Sequence, residues 1–436
     1  MSSVAQLLSE IDAQPGAMRV DQVQALLRKL VQPVTETQTL PLHQALGRVL
    51  AQAVISPVDV PPHDNAAMDG YAFAGSLLAG RDANTDGHGD LSLPIAGTVL
   101  AGQPWQGALP AGQALRIMTG AMMPPGMDTV VPFEHCQVDA TAQQVRFTAA
   151  ALRAGANCRQ RGEELAAGAT ALAAGTRLSP AELGLLAGLG LPQVSVRRRL
   201  RVALFSTGDE ILQPGDAPRS GAIYDSNRFA LAAALQQLGC EVQDLGAVPD
   251  APAALRATLL QAAQADVVLT SGGVSSGDAD HTQTMLAELG DVAFLRIAMR
   301  PGRPLAAGRM RGTHGQPGAL LLGLPGNPVA ALLSFLLLAR PALLQTMGME
   351  ASLAMPALLQ VPLAAPLRKR AGRTEFVRAT LTRNAQGVVQ ALPTGNQSSA
   401  MLSSLVQADA LLWLPHAQGD LEAGTLVDAL PLHGVF

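Results

Sequence analysis

Several things are scarce in this chain. Cysteine occurs only at Cys136, Cys158 and Cys240 in 436 residues. An odd number of distant thiols builds neither a disulfide framework nor a zinc site, so small buried hydrophobes are their expected role and a reducing cytoplasm fits. Aromatic residues make up 3% of the chain, too few for a base-stacking platform. Neither sign of charge dominates, with 30 Lys+Arg against 34 Asp+Glu, so no basic field recruits nucleic acid. The start, "MSSVAQLLSEIDAQ", has no basic segment leading into an apolar core, and no signal peptide is expected. The most apolar run, "GALLLGLPGNPVAALLSFLLLARPALL", is cut by Pro325, Gly326, Asn327 and Pro328. It falls short of the roughly 20 uninterrupted residues of a membrane span and reads as a buried strand, a turn and a buried helix. The eight histidines show no metal-ligand spacing, and no Ser-His-Asp or Cys-His arrangement stands out.

What is present is alternation. From Leu200 to about Met347, short apolar strands ("RVALFS", "EVQDLGAV", "ADVVLTSGG", "VAFLRIAM", "GALLLGL") are interleaved with helical stretches. Ser226 and Asp250 are candidate helix caps, Gly239 a helix stop, and Asn327-Pro328 a cap with an N1 proline. The pattern predicts a central α/β domain with a mostly parallel sheet and helices on both faces. Before it, "VDQVQALLRKLV" and "SPAELGLLAGLG" read as helices, the second opened by a Ser179–Glu182 capping box. The Gly- and Pro-rich segment between them reads as a small β unit. After about 350, "EFVRATLTRNAQGVVQAL" reads as a hairpin in a further β domain. The fold class is therefore multidomain α/β and β. The expected domains are a discontinuous N-terminal domain (1–58 and 152–196), an inserted β domain (59–151), the α/β domain (197–347) and a C-terminal β domain (348–436).

Ligands of parallel sheets bind beyond the carboxyl ends of the strands. The unusual loops lie there: "STGDE", "TSGGVSSGDAD", "MRPGRP" and "LPGNP". In "TSGGVSSGDAD", Gly272, Gly273 and Ser275 suit an anion nest of backbone and hydroxyl donors. The bland alternative is a strand-to-helix turn with Asp278 or Asp280 as a cap; the length and hydroxyl content of the loop favour a site. It has neither the Walker A sequence nor the dinucleotide-binding spacing. Arg300 and Arg303, on a proline-stiffened loop, suit an oxyanion, against an equally common solvated pair. Asp209, Glu210, Asp225 and Asp280 gather acids at one sheet edge, where Mg2+ could bridge them to a phosphate. Asp225 could equally serve as a helix cap. Asp64 and Asp69, in "PPHDNAAMDGYAF", read as turn residues when taken alone. In "GRTEFVRA", the alternating Arg373, Glu375 and Arg378 read as a solvated strand face.

Nine stretches, in order along the chain, resemble one family: "SPVDVPPHDNAAMDGYAF", "RIMTGAMMPPGMDTVVPFE", "RQRGEELAAG", "LFSTGDEI", "YDSN", "LTSGGVSSGDAD", "MRPGRPLAAG", "GLPGNPVAALLSF" and "GRTEFVRA". The family is the MoeA-type molybdopterin molybdenumtransferases, which include the E domain of gephyrin. The resemblance implies insertion of molybdenum from molybdate into adenylylated molybdopterin, with Mg2+ as cofactor and AMP as the leaving group. It also implies a cytoplasmic homodimer with an active-site cleft between subunits. Ser275, Arg300, Arg303, Pro304, Arg373 and Ser398 correspond to the molybdate pocket. Asp64, Glu210 and Asp280 correspond to acids implicated in activity, with Asp280 at the metal or pyrophosphate, Glu210 orienting water or metal, and Asp64 acting across the dimer cleft. The chain departs from the family at Arg300 and Arg303, where lysine is usual, and at Ala66 and Ala330, where serine is common. A fork then replaces a point charge at the oxyanion. A non-catalytic scaffold on the same fold has little need for the acids and the oxyanion loop. A molybdopterin adenylyltransferase, a possible partner, would lack the flanking domains.

Overall fold

The computed structural model describes residues 3–11, 16–79, 89–108, 111–274, 281–312, 318–350 and 357–434. By internal contacts the chain forms two compact units. One comprises Met1–Ala51, Gly175–Ser179 and Gln193–Phe436, and the other Gln52–Ala174 and Pro180–Pro192.

The larger unit is built on a six-stranded sheet. Its order across the sheet is Glu241–Val248, Arg201–Thr207, Val267–Ser271, Leu320–Leu324, Pro304–Met310 and Gly290–Arg296. The first four strands run parallel, and Pro304–Met310 pairs antiparallel with the strands on both its sides. The central strands "VVLTS" and "LLLGL" are buried along their whole length because both faces are covered. Successive side chains feed opposite cores. Val202, Leu204 and Leu269 pack with the Ser226–Leu238 and Val20–Leu30 helices. Ala203, Phe205 and Val268 pack with the Pro252–Ala262 and His281–Leu289 helices.

The Val20–Leu30 helix sends Val23, Leu26, Leu27 and Leu30 into the first of these cores, which is why the start of the chain groups with the α/β sheet. The apolar stretch after "LPGNP" is helical from Pro328 to Thr346, long and apolar enough to cross a membrane, yet 89% of it is buried within the protein.

Two expected caps are corrected. Asp225, not Ser226, caps the Ser226–Leu238 helix, accepting from the Arg228 N–H at 3.0 Å. Gly239 ends that helix in the left-handed region, at φ 95°. The Pro252–Ala262 helix starts from Ala251 without a side-chain cap, and the Asp250 N–H instead donates to Asp209 at 3.1 Å.

A second sheet carries the C-terminal strands. Thr374–Arg383 lies between Met299–Arg300 and Ala410–Leu414, followed by Leu426–Pro431 and Leu359–Pro362. The expected hairpin is present, with Val389–Pro393 pairing back on Thr374–Arg383. Arg300 pairs in parallel with Glu375, so the start of "MRPGRP" is an edge strand of this second sheet.

The smaller unit holds a six-stranded sheet ordered Thr129–Pro132, Gly70–Phe73, Ala114–Ile117, Asp90–Val99, Gln144–Thr148 and Cys136–Asp139. Residues alternate between two cores, Ala72 and Leu115 on one face, Tyr71 and Phe73 on the other. Of the cysteines, Cys240 is buried, while Cys136 and Cys158 are only partly so. Burial, helped by nearby Asp64, pushes the Cys158 thiol up to about 11.

Candidate active site

The strand ends of the α/β sheet and the edge of the C-terminal sheet enclose one cavity of about 1080 Å3, all of it in the larger unit. Its wall includes Gly272, Gly273, Glu210, Asp225, Arg300, Arg303, Pro304, Arg373 and Ser398. Ser275 and Asp280 lie outside the described residues.

The glycine turn follows the buried strand Val267–Ser271. Gly272 and Gly273 take φ values of 90° and 65°. A Cβ would stand 2.8 Å from the Thr207 carbonyl at Gly272 and 2.6 Å from Thr282 Oγ1 at Gly273, so only glycine fits. Asn227 fastens this turn to its neighbours, its Nδ2 donating to Ser271 Oγ at 2.8 Å and to the Gly326 carbonyl at 2.7 Å. Neither contact was visible in the motif, because Asn227 reaches its partners across 44 and 99 residues of chain.

The cationic wall is assembled from both sheets. Arg300 enters as an edge residue of the C-terminal sheet. The Ile297 N–H donates to the Arg303 carbonyl at 2.7 Å, which closes the proline-rich loop. Arg373 donates from Nε to Glu375 Oε1 at 2.7 Å. Its turn is held from behind by Lys369, whose buried ammonium donates to the carbonyls of Arg370, Arg373 and Gln418 at 3.1, 2.8 and 2.7 Å. Burial pushes the Lys369 pKa below its ordinary value.

"GRTEFVRA" requires a correction. It is no solvated face, since Glu375 is 7% exposed and Arg378 fully buried. Alternation shows that a strand has two faces but not which neighbours cover them. Arg378 donates from Nη2 to the Asn396 and Ser398 carbonyls at 3.3 and 3.1 Å, while its Nε and Nη1 have no partner among the described residues. Burial, and next the charge of Arg300, lower its pKa. It is the buried charge that sequence reasoning missed. Its available signal was a charge set between Phe376, Val377 and Ala379, residues that a core accepts.

The acids do not act alike. Glu210 is exposed on the cavity wall, and its carboxylate overlies Gly208, where a Cβ would lie 2.5 Å from Oε2. Asp209 adjoins it and accepts from the Asp250 N–H at 3.1 Å. Asp225 does not fit the expected role of metal ligand. Only 3% exposed, it caps the helix, accepts from Ser206 Oγ at 3.1 Å and pairs with Arg228 Nε at 3.0 Å. Among the described residues, no three His, Cys, Asp or Glu side chains gather as a metal set. Asp64 belongs to the smaller unit, where its Oδ1 accepts from the Arg161 N–H at 2.8 Å. Asp69, nearby in sequence, accepts from both the N–H and the hydroxyl of Thr119 at 2.7 Å, which holds its carboxyl below the usual range.

Comparison with known proteins gives three family matches along the chain. They are the MoeA N-terminal region (domains I and II) over residues 18–190, a "Probable molybdopterin binding domain" over 203–345, and the MoeA C-terminal region (domain IV) over 360–432. The chain is 37% identical over 418 residues to the molybdopterin molybdenumtransferase of Haemophilus influenzae, covering 95% of this chain and 99% of that one. It is 36% identical to the Nostoc enzyme of the same name, covering 91% and 89%. Its fold is similar to a molybdopterin biosynthesis MoeA protein from Pyrococcus horikoshii, with a TM-score of 0.69, 29% identity, and 95% and 99% of the two chains covered. Family models, relatives and fold agree over nearly the whole length, and the chain belongs to the MoeA family of molybdopterin molybdenumtransferases.

Proposed function

We propose that this chain is a transferase of molybdenum cofactor biosynthesis that inserts molybdenum from molybdate into adenylylated molybdopterin and releases AMP. The carrying observation is a single cavity that joins a glycine turn to Arg300, Arg303 and Arg373, with Arg378 buried behind its wall. Molybdate is a tetrahedral dianion. Guanidinium forks match its oxygens, and charge-assisted bonds of this kind are stronger than neutral ones. The Gly272 N–H is spent on the Leu324 carbonyl at 3.1 Å, so the backbone donor that the turn would offer a phosphate or molybdate oxygen is that of Gly273. Arg300, Arg303, Pro304, Arg373 and Ser398 then form the molybdate pocket, together with Ser275.

Cleavage of the phosphoanhydride requires a positioned water and charge neutralisation on the phosphates. Glu210 is the described acid on the cavity wall suited to orienting that water. Asp280 is assigned to the pyrophosphate and Asp64 to a contribution from a second copy of the chain in a homodimer. Mg2+ would neutralise phosphate oxygens when bound. Such an ion leans mainly on substrate oxygens and needs few protein carboxylates. Asp209 and Glu210, with Asp280, are the acids left for it once Asp225 is withdrawn. A cytoplasmic location and delivery of substrate by a molybdopterin adenylyltransferase complete the reading.

The test is incubation of the purified protein with adenylylated molybdopterin, Mg2+ and molybdate, following AMP and metal incorporation together. The two should rise in step. AMP release that ignores molybdate would overturn the assignment.

A further inference from the structure

The inner edge of the Thr374–Arg383 strand has an interruption. Met299–Arg300 pairs with Thr374 and Glu375, and Val389–Pro393 pairs from Ala379 onward. No strand partner stands opposite residues 376 to 378 on that edge among the described residues. Past the end of the Val389–Pro393 strand, the Thr394 N–H still donates to the Arg378 carbonyl at 2.8 Å. Gln397 Oε1 accepts from the Arg378 N–H at 2.9 Å, and Gln397 Nε2 joins Thr394 on the Arg378 carbonyl at 3.0 Å. A carboxamide has the donor and acceptor pattern of a peptide group, so one side chain supplies the acceptor that a strand would have offered to the Arg378 N–H and reinforces the carbonyl bond. Gln397 Nε2 also donates to the Thr394 carbonyl, which fixes the turn entering the cavity wall.

The lock is reciprocal. Gln397 holds the backbone of Arg378, and the Arg378 guanidinium holds the carbonyls on either side of Gln397, at Asn396 and Ser398. The same turn is anchored to the helix after "LPGNP" by the Val329 N–H, which donates to the Ser399 carbonyl at 3.0 Å. Residues 396 to 399 line the cavity. A buried arginine with unpaired N–H groups is costly and keeps its direction only where its surroundings fix it.

We infer that Gln397 is a positioning residue for the oxyanion wall: its carboxamide sets the place of Arg378 and of the Asn396–Ser399 turn relative to Arg300. The inference rests on the reading of this cavity as the molybdate site. Its consequence is selective. Loss of the clamp weakens the hold on the oxyanion and leaves the organic substrate, bound elsewhere in the cavity, little affected.

The test compares Gln397→Met, which keeps the bulk and removes the bonds, with Arg300→Ala. Molybdate binding is read by calorimetry, and half-saturating molybdate and adenylylated molybdopterin are measured separately. Gln397→Met should weaken molybdate by about tenfold or more, and shift the organic substrate by less than about twofold. An unchanged molybdate requirement, or an equal loss toward both substrates, would overturn the role. Unchanged molybdate binding in Arg300→Ala would overturn the cavity reading itself.

Gln397→Glu keeps the test decisive if the Met variant folds poorly. Its carboxylate can accept from the Arg378 N–H but cannot donate to the carbonyls of Arg378 and Thr394 until it is protonated. Its carboxylate stays ionised between pH 6 and 8, since the ordinary glutamate pKa is about 4.3 and the Arg378 cation beside it favours the charged form, so its molybdate affinity should remain below the parent's throughout that range. Parent-like molybdate affinity in Gln397→Glu would count against the clamp.

Discussion

Arg228 and Arg378 carry the same side chain at similar depth, 5% and 0% exposed. Their surroundings are opposite. Arg228 is fully engaged, with Asp225 on Nε, Asp244 on Nη1 and Gln213 on Nη2. Arg378 has two carbonyls on one nitrogen and, among the described residues, nothing on the other two. A protein interior tolerates a guanidinium when carboxylates neutralise it, and that arrangement is structural. An unneutralised one raises the potential of the adjoining cavity and leaves charge for an anion to balance. The comparison separates the two sides of the cavity. On the Asp225 side the charges cancel among themselves. On the Arg300 side they are left in excess among the described residues, with Glu375 the paired acid of Arg373.

The largest expected effect tests the structural side. Arg228→Met leaves Asp225 buried without its cation and should cost about 3–5 kcal/mol in urea unfolding. A variant as stable as the parent would erase the distinction. Arg378→Met should move stability by no more than about 1 kcal/mol, because an unbalanced charge leaves with the side chain. Half-saturating molybdate should nevertheless rise at least about tenfold. Equal losses of stability in the two variants would break the comparison from the other side. Arg300→Ala should raise the molybdate requirement, and Arg300→Lys should restore most of it, since charge returns without the fork. Steady-state titration with molybdate reads both, and no rescue by lysine would make geometry rather than charge the determinant.

The smallest effect lies in the other unit, at Asp69. Its folded pKa is lowered by the Thr119 bonds, so its contribution to stability is present above the ordinary carboxylate pKa of about 4. That contribution is lost as pH falls through the lowered value. Asp69→Asn should therefore flatten the acid limb of the stability curve slightly, and an unchanged limb would remove Asp69 from it.

The α/β sheet was legible in the sequence because its central strands, covered on both faces, are continuous apolar runs punctuated by glycine and proline. The loops at its strand ends could be named for the same reason. The C-terminal strand was harder. In "TEFVRA" Glu375 and Arg378 are three positions apart and so lie on opposite faces of the strand, and only the packing of other segments makes both of them interior residues. Asp225 was ambiguous between cap and ligand until Arg228, one helical turn onward, settled it as an ion-paired cap.

The sequence by itself determined the alternating α/β body, the glycine turn, the two arginines of "MRPGRP" and the family to which their order points. These are local patterns, fixed by periodicity and by the few residues that tolerate positive φ or confine the chain. Tertiary structure alone decided that Met299–Arg300 adds to the edge of a sheet more than seventy residues downstream, bringing Arg300 beside Glu375. It also decided that Gln397 completes that sheet's edge at Arg378. Which charge is neutralised and which is left for a ligand depends on partners distant in the chain, and no local pattern encodes them.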